Sequence, residues 1–295
     1  ITNGYSNNLQ ISNASVTGQD ATNDFTMVQF DISWDNSWRD NVNHDAAWVF
    51  VKYSTDNGIS WSHATLNSTA GNHNPVTGSV ITPASSGVGA FIHRSLNGSG
   101  NNSWASMQLR WEYGTDGLPD NASVMVRVFG IEMVYVGQGA FYAGDGATTN
   151  IQGQLETETT GAPFQITSEA AITLGGGGAG SMGNNNEPLD DFDDVTSQPL
   201  PSAFPKGYSA FYSMKYEISQ EQYKDFLNTL NRSQQNTRTA TDISSTTISN
   251  IYVLNQQPTS GINRNGISTV STTLPASGPV TFYCDYTSTN PPDSS

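Results

Sequence analysis

The chain has 295 residues, with 11 Lys plus Arg against 26 Asp plus Glu and a formal charge of −15; a polyanion of this size is repelled by phosphate backbones, which disfavours nucleic acid and anionic membranes as partners. Charged residues make up only 13% of the chain, about half the ~25% usual in soluble domains, while a 10% aromatic share supplies a packed core and argues against wholesale disorder. The single cysteine, Cys284, excludes an internal disulfide framework and a multi-cysteine zinc site, and no apolar run approaches the ~18 residues of a membrane helix.

The length suits about two domains, and the first, over residues 1–130, reads as an antiparallel β-sandwich. Leu9-Gln10-Ile11 opens a strand. In Thr26 to Trp34, positions 28, 30, 32 and 34 are apolar between mostly polar neighbours, the alternation of a strand with one buried face. Ala47 to Tyr53 is apolar almost throughout and reads as a central strand. Ala90 to Ile92, Met107 to Trp111 and Val124 to Phe129 follow. Turn residues separate them: Asp56-Asn57-Gly58, Asn97-Gly98-Ser99-Gly100 and Asp116-Gly117-Leu118-Pro119.

Near Gly130 the texture changes. Residues 131–136 form one more apolar stretch, and a polar tract over about 145–203 then reads as a looped insertion with one β-like island at Phe164-Gln165-Ile166. One helix stands out, over about 219–231. Ser219 is its N-cap and Gln222 its capping-box partner, while Tyr223, Phe226, Leu227 and Leu230 form one apolar stripe. The Ser/Thr/Asn-rich stretch from Thr237 to Thr273 reads as extended or looped chain.

Several local patterns carry chemistry. Ser54-Thr55-Asp56-Asn57-Gly58-Ile59-Ser60-Trp61 resembles the Asp-box of sialidases, in which Asp and Gly build a tight turn and Trp folds over it. One copy is present where a propeller repeats it, so a stabilised hairpin is expected. Trp34, Trp38, Trp61 and Trp104 are candidate platforms for stacking on sugar rings, against the alternative that they fill the core. Asp190, Asp191, Asp193 and Asp194 are candidate calcium ligands, against the alternative of a solvated acidic loop. His44, His63, His73 and His93 fall in no paired metal spacing, and no nucleophile elbow or phosphate loop is present.

Two segments resemble the formylglycine-generating-enzyme, or sulfatase-modifying-factor, family. Glu132 to Gly144 (EMVYVGQGAFYAG) is similar to the hydrophobic strand and glycine-phenylalanine opening of that module. Phe211 to Leu227 (FYSMKYEISQEQYKDFL) is similar to its next landmark. The resemblance implies a partial, loop-rich α+β module over 131–295, a mainly β chain overall, and calcium as a cofactor the module commonly holds. The leading 130 residues look like the β-rich leaders of secreted Bacteroidetes-type proteins. The family's copper site needs two cysteines, and its iron-binding relatives need histidines. From Gly130 to Ser295 there is only Cys284 and no histidine, so no catalytic residue carries over.

The resulting expectation is a secreted or cell-surface bacterial structural or adhesive protein, with no catalysis in these residues. Its partners are further copies of itself, neighbouring subunits or glycans. Ile1-Thr2-Asn3-Gly4 reads as a start left by signal-peptide removal, and Pro291-Pro292 as a chain that continues. Two alternatives stay open: a longer oxygen- or metal-dependent enzyme of the same family, and a carbohydrate-binding module.

Overall fold

The computed structural model describes residues 8–145, 155–184, 196–254 and 266–284. The chain divides into two compact units. One comprises Ile1–Asp40, His44–Met133 and Met214–Ser295, the other Asn41–Asn43 and Val134–Ser213. The chain passes from one unit to the other at Met133–Val134 and back at Ser213–Met214.

Eight strands build the amino-terminal sheet: β1 (Gln10–Asp20), β2 (Phe25–Arg39), β3 (His44–Ser54), β4 (Ser62–His63), β5 (Ser79–Pro83), β6 (Ala90–Arg94), β7 (Gly98–Trp111) and β8 (Met125–Val136). β2 lies between β1 and β7, antiparallel to both. β3 pairs with β4, β6 and β8, and β6 with β5. The two ladders join at one residue pair, Arg39 with His44. This is a sandwich made by bending one sheet at a corner. Alternation drives it: Val28, Phe30, Ile32 and Trp34 of β2 meet Ala47, Val49, Val51 and Tyr53 of β3 in one core. Ile81, Ile92, Met107, Leu109 and Trp111 complete it. The register of β2 against β7 breaks between Trp34 and Ser37, a bulge that aims the following side chains into the corner.

The second unit holds β9 (Phe141–Ala143), β10 (Leu155–Thr157), β11 (Phe164–Ile166), β12 (Ile172–Leu174), β13 (Met182–Asn184) and β14 (Gln198–Leu200). β9 pairs with β11, so the island at 164–166 is a strand. The tract over 145–203 is not simply looped: within it β10, β13, β12 and β14 form a four-stranded sheet. Strands of three residues carry too little alternation to be visible in sequence. β15 (Phe211–Met214) adds to β8.

The helix forms where its cap signals place it. α1 spans Gln220–Leu227, with Gln222 N–H donating to Ser219 Oγ and Ser219 N–H to Gln222 Oε1. It ends at Leu227, four residues before the expected end, because Asn231 caps a second helix, α2 (Arg232–Asn236), with its own capping box to Gln234. Leu227 and Leu230 root a separate core with Ile243, Ile248, Val253, Ile267, Leu274, Val280 and Phe282. Little regular structure surrounds it beyond β16 (Ile267–Ser268) paired with β17 (Tyr283–Cys284); Cys284 is buried there.

Side-chain amides replace strand ladders in this core. Gln235, fully buried, donates Nε2–H to the carbonyls of Leu227 and Val280 and accepts from Val280 N–H. Asn228 exchanges two hydrogen bonds with the Phe282 backbone. The Arg232 guanidinium donates to the carbonyls of Ile243, Ser245, Pro275 and Gly278. Ser219→Ala is expected to lower stability by about 1 kcal/mol, measured by urea unfolding. Gln235→Leu is expected to cost more, about 2–3 kcal/mol, because three backbone groups lose their partner inside the core.

Candidate functional site

The most concentrated chemistry in the described residues lies at the sandwich corner. Asp45, second residue of β3, is 1% exposed. A carboxylate so deep must be compensated at each oxygen. Oδ1 accepts from Ser37 Oγ–H at 2.8 Å and from Trp38 N–H at 3.0 Å. Oδ2 accepts from Trp34 Nε1–H at 3.0 Å and faces the Lys215 ammonium at 3.4 Å. The bulge in β2 is what lets Trp34, Ser37 and Trp38 converge on one carboxylate. Ser37 Oγ also accepts from Asn102 Nδ2 at 2.8 Å and from Arg94 Nε at 3.2 Å.

Lys215 reaches the corner because its N–H donates to the Glu132 carbonyl at 2.9 Å, extending the β8–β15 pairing by one residue. The Glu132 side chain belongs to the same cluster. Burial raises its pKa above the usual carboxylate range, the Lys215 charge and the Leu9 N–H pull it back, and Asp45 pushes it up. Its Oε2 is buried and has no hydrogen-bond partner among the described residues. A cavity of about 570 Å³ opens beside it, lined by Leu9, Gly130, Glu132, Tyr216, Glu217 and Gln222 among others.

Two histidines flank the corner. The rings of His44 and His93 lie 4.3 Å apart. Arg39 Nη1 sits 2.9 Å from His93 Nδ1. His93 Nδ1 also lies 2.9 Å from the Arg94 carbonyl oxygen, which accepts from Arg39 Nη1 at 3.0 Å. Burial, then His93 and Arg39, push His44 down to about 4. Burial also lowers His93. Both rings are therefore neutral at pH 7.

The candidate sugar platforms are spread over the sandwich. Trp34 and Trp104 pack edge to face, centroids 5.2 Å apart, inside the core. Trp61 is 8% exposed and lies under the Arg127 guanidinium, 4.3 Å from its ring. Three of the four faces are thus spent on packing, and Trp38 is half-buried. Asp190, Asp191, Asp193 and Asp194 lie outside the described residues. Among the described residues, no group of three or more His, Cys, Asp or Glu is placed to hold a metal ion.

The Asp-box-like segment is a hairpin between β3 and β4. Asn57 and Gly58 take positive φ, 58° and 85°. Asp56 accepts from Ser54 Oγ–H, Ser60 N–H and Ser60 Oγ–H, which holds it down at about 2. Trp61 Nε1–H closes the turn on the Gly58 carbonyl at 3.1 Å. All four polar partners of the motif are consumed by the turn itself. Sequence reading passed over Lys215 and Glu132 because the strands that bring them to Asp45 are separated by long stretches of chain; the one local signal was a lysine in a lysine-poor sequence.

Comparison of the chain with family models, with curated proteins and with solved structures finds no match.

The histidines predict acid sensitivity. A base whose folded pKa lies below its unfolded value binds fewer protons when folded, so stability falls as pH drops from the unfolded value through the folded one. For His44 that window runs from 6.5 to about 4. Equilibrium unfolding between pH 7.5 and 4.5 is expected to show a loss of about 2 kcal/mol, with a shallower slope in His44→Phe.

Proposed function

We propose that this chain is a secreted or cell-surface structural or adhesive protein that works by associating with further copies of itself through the free edge of β1. The observation that carries the reading is the state of that strand. β1 has eleven residues, nine of them exposed, and among the described residues it ends the ladder, with β2 as its one neighbouring strand. Over Gln10–Asp20 the only charged residue is Asp20. An edge this long normally carries lysine, proline or a covering loop that blocks addition of another strand. Here the chain, net −15, offers a copy of itself a nearly neutral strip where repulsion is least.

The composition supports the same class. Asn, Gln, Ser and Thr side chains tie loops to backbone in place of charged groups, as in the Gln235 and Asn228 bonds. Among the described residues, no helix is long and apolar enough to cross a membrane. The carbohydrate-binding alternative now rests on Trp38, since Trp34, Trp61 and Trp104 are packed. The enzyme alternative rests on the two family-like segments, which here form β8 with β9 and β15 with α1.

Purified protein is expected to form ordered polymers in electron micrographs, with sedimentation shifting to larger species as concentration rises. The double variant Ala14→Lys and Ser15→Lys places charge on the edge at two exposed positions and is expected to stay monomeric with unchanged circular dichroism. A wild-type protein that remains monomeric throughout contradicts the reading.

A further inference from the structure

We propose that Lys215 and Asp45 condense spontaneously to an amide, so that the mature chain carries an internal covalent cross-link made with the help of Glu132. The ion pair alone explains the position of Lys215, but three further features match what amide formation needs and exceed what an ion pair needs.

The first is the arrangement of donors on Asp45. When an amine adds to Cγ, one carboxyl oxygen takes up negative charge. Oδ1 already holds two donors, Ser37 Oγ–H at 2.8 Å and Trp38 N–H at 3.0 Å. Fixed donors at an oxygen where charge develops stabilise a tetrahedral intermediate. The second is the leaving side. Oδ2 is the oxygen that Lys215 Nζ approaches, at 3.4 Å, so nucleophile and leaving group share one edge of the carboxyl. The third is Glu132, a half-buried carboxyl that feels the charges of both Lys215 and Asp45 and whose buried Oε2 has no hydrogen-bond partner among the described residues. A free carboxyl beside an ammonium and a carboxylate can carry protons between them.

The reaction balances without any co-reactant. It starts from the Lys215 ammonium, the Asp45 carboxylate and a protonated Glu132. Glu132 gives its proton to Oδ2 and takes one from Nζ, leaving a neutral amine against a neutral acid. Removal of both side chains from most of their water, to 15% exposure for Lys215 and 2% for Asp45, reduces the cost of that neutral state. The Nζ lone pair then bonds to Cγ, and the carbonyl electron pair moves onto Oδ1. Glu132 passes a second proton from Nζ to Oδ2, and Oδ2 leaves as water while the Cγ–Oδ1 double bond reforms. An ammonium and a carboxylate become an amide and one water, no electron is gained or lost, and Glu132 ends as it began. The cavity beside Glu132 gives the water a way out. Holding both groups in contact within one fold replaces the high concentration that amide formation in water would require.

The product would join residues 170 positions apart, locking the strand that leads into α1 onto β3. This holds whether or not β1 associates with other copies, and it suits a protein exposed to pulling or proteolysis.

The test is the intact mass of the full chain after complete unfolding, with tandem mass spectrometry of a digest. Wild-type protein is expected to weigh one water less than its sequence, with a branched fragment joining the peptides that contain residues 45 and 215. Lys215→Arg keeps the positive charge but cannot cross-link, and is expected to show the full sequence mass. Glu132→Gln is expected to stay mostly at the full mass. Folded wild-type protein at the full sequence mass overturns the proposal. So does a water loss that persists in Lys215→Arg, which would locate it in a succinimide at a site such as Asp116-Gly117. Cross-linking in Glu132→Gln at the wild-type rate overturns the role given to Glu132.

Discussion

A carboxylate buried at the fold of a bent sheet is the constraint from which much of the corner follows. Removing Asp45 from water costs several kcal/mol unless its oxygens are fully bonded. The molecule meets that cost with four donors: an indole, a hydroxyl, a backbone amide and an ammonium. Each donor fixes something else. Trp34 is turned so that its edge meets Trp104 in the core. Ser37 and the Trp38 amide fix the bulge in β2 where one ladder gives way to the other. Lys215 anchors the chain as it leaves β15 for α1. The neutral His44–His93 pair beside them adds no competing positive charge at neutral pH, so Lys215 is the cation in contact with Asp45.

The two cores of this unit are built by different means. The sandwich core is made by alternation, with large apolar side chains from β2, β3 and β7 interleaved. The core around Leu227 and Phe282 has few strands to close it, and buried amides do the closing. A chain with few charged residues and many Asn, Gln, Ser and Thr suits this second style, because these side chains satisfy loop backbone groups at little desolvation cost. The apolar stripe of α1 is divided accordingly: Leu227 and Leu230 are core, while Tyr223 and Phe226 are half-buried on its margin.

How far the sequence revealed the structure depended on the range of the interactions. β2 and β3 were legible because a strand with one wet face writes its period into consecutive residues. α1 was legible because both halves of its capping box lie within four residues, and the Asp-box-like turn because its bonds are local. The four-stranded sheet within 145–203 was not, since β10, β12, β13 and β14 have three residues each. Trp34, Trp61 and Trp104 looked available for sugar because loop and core tryptophans are chemically alike in sequence. Asp45, Glu132 and Lys215 are brought together only by pairing β8 with both β3 and β15, which no local pattern encodes.

The most direct measurement of the central claim is urea unfolding of Asp45→Ala made in the Lys215→Arg background, where no cross-link can form, beside Lys215→Arg alone, followed by tryptophan fluorescence. If the buried carboxylate organises the corner, its removal orphans the Trp34 indole, the Ser37 hydroxyl and the cation at position 215 together, and stability falls by about 3–5 kcal/mol with a shift in the Trp34 and Trp38 emission. A double variant that unfolds within about 1 kcal/mol of Lys215→Arg, a loss that ordinary substitutions reach, with unchanged emission, would contradict it.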